Sequence, residues 1–228
     1  LRHRTPPVIN GVKIHAYTIN VIGLAQYADE LIKQLKEKYQ SSTMYGEWVY
    51  NKQNDTIQIP IIPKNPIVPE MYPYISDING FINGFISSKS PVLILKGAPG
   101  TGKTSLIRHI LLTHHLRPLI TYNNDLLEND EIFTSFLQNS RLDVFVLEDA
   151  DHIMKDRKKQ GNSMMHKLLS LSDGLLSDTN KKYIFSTNLA STESIDNALL
   201  RPGRCYALID FRNLTIDESV AFAAAIGK

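Results

Sequence analysis

The spacing of apolar residues changes character several times along this chain. In VKIHAYTINV, residues 12–21, apolar and polar positions alternate as they do in a strand. Leu24, Tyr27, Ala28, Leu31, Leu35 and Tyr39 then fall on one helical face. EWVY and TIQIPII flank NKQND and predict a β-hairpin. Pro60, Pro63, Pro66 and Pro69 follow at every third position. That period matches a stiff polyproline II linker rising about 3.1 Å per residue, and an edge strand running into a loop fits it equally.

After Tyr74 the pattern becomes regular. Ile75, Ile78, Phe81, Ile82, Phe85 and Ile86 form a helical stripe that stops at Ser90 and Pro91. Five short apolar runs succeed it: VLILK (92–96), PLITY (118–122), DVFVL (143–147), KYIFS (182–186) and YALIDF (206–211). Helical patterns lie between most of them, notably at 103–116 and 162–172. Alternating strands and helices imply a parallel sheet covered on both faces, an α/β fold. The expected organisation is a small αβ N-terminal domain over 1–62, a Pro-rich linker over 63–73, a core over 74–212 and, over 213–228, the start of a helical lid that is otherwise truncated or missing. The last opens with a capping box from Thr215 to Glu218.

Composition narrows the class without naming a partner. The chain has 228 residues, 43% hydrophobic and 21% charged, enough for a mid-sized globular domain with an appendage. No apolar run approaches the ~18 residues of a membrane span, and no signal-peptide pattern opens the chain, so no membrane partner is expected. One cysteine, Cys205, excludes an internal disulfide framework and suits a reducing compartment such as the cytoplasm. A net charge of +2 is too small to diagnose nucleic-acid binding. The first residue is Leu rather than Met, as expected where a natural N-terminus lies further upstream.

The sharpest chemical signal follows the first of the five runs. GAPGTGKTS, residues 97–105, places Gly97, Gly102, Lys103 and Thr104 in the G-x-x-x-x-G-K-[ST] pattern, with a strand before it and a helix after it. Glycines let the backbone curl so that N–H groups point at phosphate oxygens, and the positive end of the following helix adds to that field. Gly97, Ala98, Pro99, Gly100, Thr101, Gly102, Lys103, Thr104 and Ser105 are thus candidates for holding ATP. Lys103 would reach the β- and γ-phosphates, and the Thr104 hydroxyl would ligate Mg²⁺.

A second strand, VFVL, ends in Glu148 and Asp149, with Asp151 two places on. In phosphate hydrolysis one carboxylate holds Mg²⁺ and its neighbour orients the attacking water. Glu148 is the expected metal-side acid and Asp149 the catalytic one, with Glu148 or Asp151 as the alternative base. YIFSTN ends in Asn188, and IDNALLRPGRCYALIDF follows. Together with LLSLSDG (168–174), these segments resemble sensor 1 and the arginine-bearing region of AAA+ ATPases of the AAA clade, over about residues 91–212. The resemblance implies a P-loop αβα sandwich with a five-stranded parallel sheet in the order 5-1-4-3-2. It also implies ATP and Mg²⁺ as substrate and cofactor, and a homo-oligomeric, hexameric ring. Within the clade the Glu-Asp order is similar to a subgroup of mitochondrial inner-membrane chaperones that translocate the folded Rieske iron–sulfur protein. No membrane anchor of that subgroup is evident. The aromatic–hydrophobic–glycine pore loop of threading motors does not occur in 123–131.

In LLRPGRC, Pro202 and Gly203 suit the centre of a type II turn, which would project Arg201 and Arg204 from its ends. The resemblance implies that both reach a neighbouring subunit's nucleotide as arginine fingers. HIMKDRKKQGN carries Lys155, Arg157, Lys158 and Lys159, either a solvated loop or a surface for nucleic acid or an acidic client. His109, His114 and His115 have no metal-site spacing and read as surface or packing residues; Cys205 reads as a buried thiol. The expected function is ATP hydrolysis in a ring that remodels or translocates a macromolecular client, protein before DNA. A DNA-transaction factor of the helicase-loader or clamp-loader kind remains an alternative, as does a nucleotide-gated scaffold with little turnover. A phage or AT-rich bacterial source, acting in a host cytoplasm, fits the wealth of Asn, Ile, Lys and Tyr.

Overall fold

Three strands that are apolar on both faces set the architecture. Strands β5 (Val92–Gly97), β7 (Val144–Leu147) and β8 (Lys182–Thr187) are buried at every position. Such continuous burial is expected of parallel strands with helices above and below. The computed structural model describes residues 8–9, 12–13, 30, 34, 44–49, 56–61, 67–121, 130–154, 181–192 and 195–227. Among these, the chain forms β1 (Val8–Ile9), β2 (Val12–Lys13), β3 (Met44–Val49), β4 (Thr56–Ile61), α1 (Ile78–Ser87), β5, α2 (Lys103–Thr113) and β6 (Pro118–Thr121). It continues with α3 (Asp130–Gln138), β7, α4 (Asp151–Met154), β8, β9 (Cys205–Phe211) and α5 (Ile216–Ala225). The five strands expected from the apolar runs all form, with bounds within one residue of those runs.

Two compact units divide at Ser42 and Thr43. In the first, β1 and β2 pair antiparallel, Val8 opposite Lys13. The helical face from Leu24 to Tyr39 falls largely outside the described residues, although Gln34 Nε2 donates to Glu30 Oε1 at 3.1 Å, one helical turn apart. In the second unit, seven strands form one sheet in the order β4-β3-β6-β7-β8-β5-β9. The run β9-β5-β8-β7-β6 is the expected 5-1-4-3-2 order, and all of its pairings are parallel.

The sheet is wider than the five strands expected. The β3–β4 hairpin forms as its sequence suggests, with Met44 opposite Ile61 and Val49 opposite Thr56. It joins the larger unit, however, because β3 pairs in parallel with β6 through Glu47–Leu119 and Trp48–Ile120. The hairpin therefore extends the core sheet, and the division of the chain lies near residue 42 instead of 62. The Pro-rich stretch also ends differently. Pro63 and Pro66 lie outside the described residues, but Pro69–Met71 is a 3₁₀ turn and Tyr72 is wholly buried. Pro69 is exposed, but Tyr72 is a core residue and Met71 packs partly buried against the same cluster, so this end of the stretch is anchored to the core.

Alternation along the strands divides the core between the two faces of the sheet. Ile94, Phe145, Leu147, Tyr183 and Phe185 point to one face, where α3 covers them with Ile132, Phe133 and Phe136. Leu93, Leu95, Val144, Val146 and Ile184 point to the other, under α1 and α2. Helix α1 presents Ile78, Ile82 and Phe85 to that layer and is capped by Asp77, whose side chain accepts from Gly80 N–H at 2.9 Å. This is the αβα sandwich. Among the described residues, no helix is long and apolar enough to cross a membrane.

Candidate functional site

Strand order decides which loops meet. Because β8 lies between β5 and β7, the residue that follows β8 stands between the loop after β5 and the acids after β7. All three strands run parallel, so all three connections leave the same edge, where ligands of such sheets gather.

The loop after β5 is built for close backbone approach. Gly97 has φ of 154°, and a Cβ there would lie 2.2 Å from the Phe211 carbonyl oxygen. Gly102 has φ of 98° in the left-handed region and caps α2 without a side chain. The first N–H bond back into the loop is Leu106 N–H to Gly102 O at 3.1 Å. The N–H groups of Lys103, Thr104 and Ser105 are thus the orphan donors of a helix start, pointed at the loop that begins with Gly97, Ala98, Pro99 and Gly100. Thr101 Oγ1 donates to Ala98 O at 2.8 Å and holds the loop's curvature.

Lys103 is 7% exposed. Its ammonium donates to Gly97 O at 2.6 Å, Ala98 O at 2.9 Å and Asn188 Oδ1 at 2.9 Å. Burial pushes its pKa below the ordinary lysine value, while the carboxylates of Asp149, Asp151 and Glu148 oppose that shift. The acids reach this centre by separate routes. Glu148 Oε2 is hydrogen-bonded by the Thr104 hydroxyl, which brings the two oxygens proposed for Mg²⁺ into contact. Asp149 Oδ1 accepts from Asn188 Nδ2 at 2.9 Å. Asp149 holds φ of 55°, rare for a residue with a side chain. Two bonds to β8 keep it there, Asp149 N–H to Ser186 Oγ at 3.1 Å and Ala150 N–H to Ser186 O at 2.8 Å.

Asp151 plays a part that differs from the alternative base expected of it. Its Oδ1 accepts from Thr187 Oγ1 at 2.6 Å and from the Asn188 N–H at 2.7 Å. Tyr72 escaped the sequence reading altogether. Its hydroxyl donates to Gly102 O at 3.0 Å, and its ring lies 3.2 Å from where a Gly102 Cβ would be. Burial raises its pKa further above the ordinary phenol value. The nearest signal was the aromatic pair Tyr72 and Tyr74 inside a proline-rich stretch; both rings pack edge-on against Phe211. On the outer side of Thr104 and Glu148, the β3–β4 hairpin and α2 enclose a cavity of about 450 Å³ lined by Trp48, Ile61, Ile107 and Leu111.

The two arginines part company. Gly203 has φ of 84° and Arg204 N–H bonds Arg201 O at 3.1 Å, the type II turn that Pro202 and Gly203 suggested. Arg201 is exposed at its start. Arg204 is only 6% exposed, and its Nη1 donates to Ala198 O within the chain. It does not project as expected, because the bond to Ala198 folds the side chain under the turn. Cys205 is half-buried, and burial raises its thiol to about 11. The segments 122–129, 155–180 and 193–194 lie outside the described residues. They contain the region read as lacking a pore loop, the basic loop and LLSLSDG.

The donor set fits a nucleoside triphosphate with a divalent cation: N–H groups at a helix start, a lysine ammonium at the loop, and a hydroxyl and carboxylate side by side. Comparison with known proteins agrees. Residues 93–213 match the model of the "ATPase family associated with various cellular activities (AAA)". An AAA-ATPase of Arabidopsis thaliana is 38% identical over 129 residues, covering 49% of this chain and 27% of the relative. The 26S proteasome regulatory subunit 6B homologs of Aspergillus niger and Saccharomyces cerevisiae are each 28% identical over 138 residues, 54% of this chain and 32% of theirs. The chain thus spans about a third or less of the curated relatives it matches. With strand order, phosphate loop, acids and sequence in agreement over the same residues, the chain belongs to the AAA family of ATPases.

Proposed function

We propose that this chain supplies the Mg²⁺-dependent ATPase of a homo-oligomeric ring, hexameric in the manner of its family, that remodels a protein client. The observation that carries the reading is the Asn188 amide, bonded at once to the Lys103 ammonium and the Asp149 carboxylate. It ties the phosphate-binding side of the site to the acid that would handle water. Lys103 exchanges its bonds to the Gly97 and Ala98 carbonyls for the β- and γ-phosphates of ATP. Thr104 and Glu148 would hold Mg²⁺, which when bound neutralises charge on those phosphates. Asp149 orients the attacking water and takes its proton, and Asn188 keeps that carboxylate facing the phosphate side. Arg201, exposed on its turn, is the arginine that reaches a neighbouring subunit's site, and Arg204 braces the turn that presents it.

The Glu148-Asp149 order of the acids is compatible with this division of labour. Glu148, the longer side chain, already meets Thr104, while the left-handed backbone at Asp149 brings the shorter one to Asn188. A protein client is favoured by the relatives named as proteasome regulatory subunits. The likeness to chaperones that move a folded iron–sulfur protein rests on the Glu148-Asp149 order and is the finer form of the same proposal. A reducing, cytoplasm-like compartment suits the single free thiol.

Steady-state ATPase assays with Mg²⁺ or with EDTA, and with a folded protein, an unfolded protein or single-stranded DNA added, test the reading. Mg²⁺-dependent turnover that Lys103→Ala and Asp149→Asn abolish, with Asp149→Asn still binding ATP, supports it, as does stimulation by protein. Stimulation by DNA alone would transfer the chain to the DNA-transaction class. Tight ATP binding without turnover would make it a nucleotide-gated scaffold.

A further inference from the structure

Asp151 is a charged group at the site that the proposed chemistry does not use. It opens the short helix α4 and stands two residues beyond the proposed base. Among the described residues its side chain makes no hydrogen bond to the phosphate loop, and its charge acts on Lys103 only through space, after that of Asp149. One oxygen, Oδ1, accepts both the Thr187 hydroxyl at 2.6 Å and the Asn188 backbone N–H at 2.7 Å. Thr187 Oγ1 in turn accepts from Leu189 N–H at 3.2 Å, so three successive residues at the end of β8 are tied to one carboxylate.

The consequence falls on Asn188. Strand β8 ends at Thr187, and the N–H of the next residue, Asn188, bonds the Asp151 carboxylate. Asn188 must also hold its side-chain oxygen against Lys103 and its NH₂ against Asp149, both at 2.9 Å. An amide rotated by a half-turn would present a donor to an ammonium and an acceptor to a carboxylate, which both partners reject. Fixing the backbone of Asn188 is therefore a condition for its amide to face the two partners in the right sense. We propose that Asp151 is a positioning residue for hydrolysis: it sets Asn188 through Thr187 and the Asn188 N–H, and needs its oxygen as an acceptor but not its negative charge.

This rests on the ATPase reading and makes a distinction that reading lacks. An asparagine in place of Asp151 keeps an acceptor oxygen for both bonds and loses the charge and the ability to take a proton. Asp151→Asn should retain most of the wild-type kcat. Asp151→Ala should lower kcat roughly 10- to 100-fold, as misplacement of a catalytic group does, with ATP affinity little changed. Thr187→Val, which removes the hydroxyl but not the carboxylate, should fall between. In an Asn188→Ala background, Asp151→Ala should cause little further loss, because both act through one side chain.

The experiment measures kcat, KM for ATP and ATP affinity for the four single variants and the double variant, with melting curves to confirm folding. Should Asp151→Ala fail to fold, Asp151→Asn and Thr187→Val decide the matter. The proposal is overturned if Asp151→Asn is as inactive as Asn188→Ala, since the charge would then be needed. It is equally overturned if the losses at Asp151 and Asn188 multiply, or if Thr187→Val turns over at the wild-type rate. A wild-type chain that binds ATP but does not hydrolyse it would fail the ATPase reading instead. Binding of ATP lost in Asp151→Ala alone would place Asp151 in ground-state binding and also contradict the proposal.

Discussion

Tyr72→Phe removes a single oxygen from the underside of the phosphate loop. In the wild-type chain that hydroxyl donates to Gly102 O at 3.0 Å, while Gly102 O also accepts from Leu106 N–H at 3.1 Å. The carbonyl therefore keeps one partner, and no buried acceptor is stranded. The cost should be that of one net hydrogen bond, about 0.5–1.5 kcal/mol, and not the larger penalty of an unsatisfied group. For a unit of this size such a loss lowers the melting temperature by about 1–6 °C. The ring stays, so the packing against Tyr74 and Phe211 is retained; Tyr72→Ala would add a cavity and cost about 3–5 kcal/mol. Because Gly102 sets the left-handed turn that aims the helix start, part of the loss should appear as weaker nucleotide binding, up to about tenfold. Thermal melts with and without ATP, together with calorimetric ATP titration, read both effects. If Tyr72→Phe melts and binds ATP as the wild type does, the hydroxyl is not a brace for the loop. If it loses stability but binds ATP unchanged, Tyr72 serves the core alone.

Other residues give sharper yes-or-no outcomes. Glu148→Gln should raise the Mg²⁺ concentration needed for half-maximal turnover while leaving metal-free nucleotide binding intact; an unchanged Mg²⁺ dependence assigns the metal to another group. Gly97→Ala should prevent the loop from closing on β9, because its Cβ would meet the Phe211 carbonyl at 2.2 Å; a soluble variant with normal ATP binding would contradict the geometry. At α5, hydrogen bonds from Arg212 and then from Thr215 hold the Glu218 carboxyl at about 2, below its ordinary 4.5. A carboxyl with a lowered folded-state pKa contributes stability that is complete above pH 4.5 and lost as pH falls toward 2. The melting temperatures of wild type and Glu218→Gln should therefore converge across that interval, and a constant gap would remove the linkage.

What could be read in advance was whatever depends on short stretches of chain. The five strands were visible because parallel strands buried on both faces are continuous apolar runs, and the phosphate loop because its glycines, lysine and threonine must lie at fixed spacing. The capping box from Thr215 to Glu218 formed as its spacing suggested, with both reciprocal bonds present. Long-range choices were not legible. The alternation in TIQIPI marks a hairpin but carries nothing about β3 pairing with β6, some 70 residues away. Prolines at every third position obscured Tyr72, whose burial depends on a loop 30 residues on. The turn at Pro202–Gly203 was readable, yet whether Arg204 points out or under depends on the Ala198 carbonyl. Asp151 could be counted among the acids, but only the proximity of β7 and β8 brings its carboxylate to the Asn188 N–H.

The central claim is a shared site: one chain supplies the phosphate loop and acids, its neighbour the arginine. Subunit mixing tests it most directly. Lys103→Ala chains lack the phosphate-binding ammonium but keep Arg201, and Arg201→Ala chains lack the finger but keep an intact loop, so neither should turn over ATP alone. In co-assembled mixtures, an Arg201→Ala chain beside a Lys103→Ala chain regains a complete site. ATPase activity titrated across mixing ratios should be near zero at both ends and pass through a maximum between them. A flat line at zero despite confirmed co-assembly, or full activity of Arg201→Ala alone, would contradict the account.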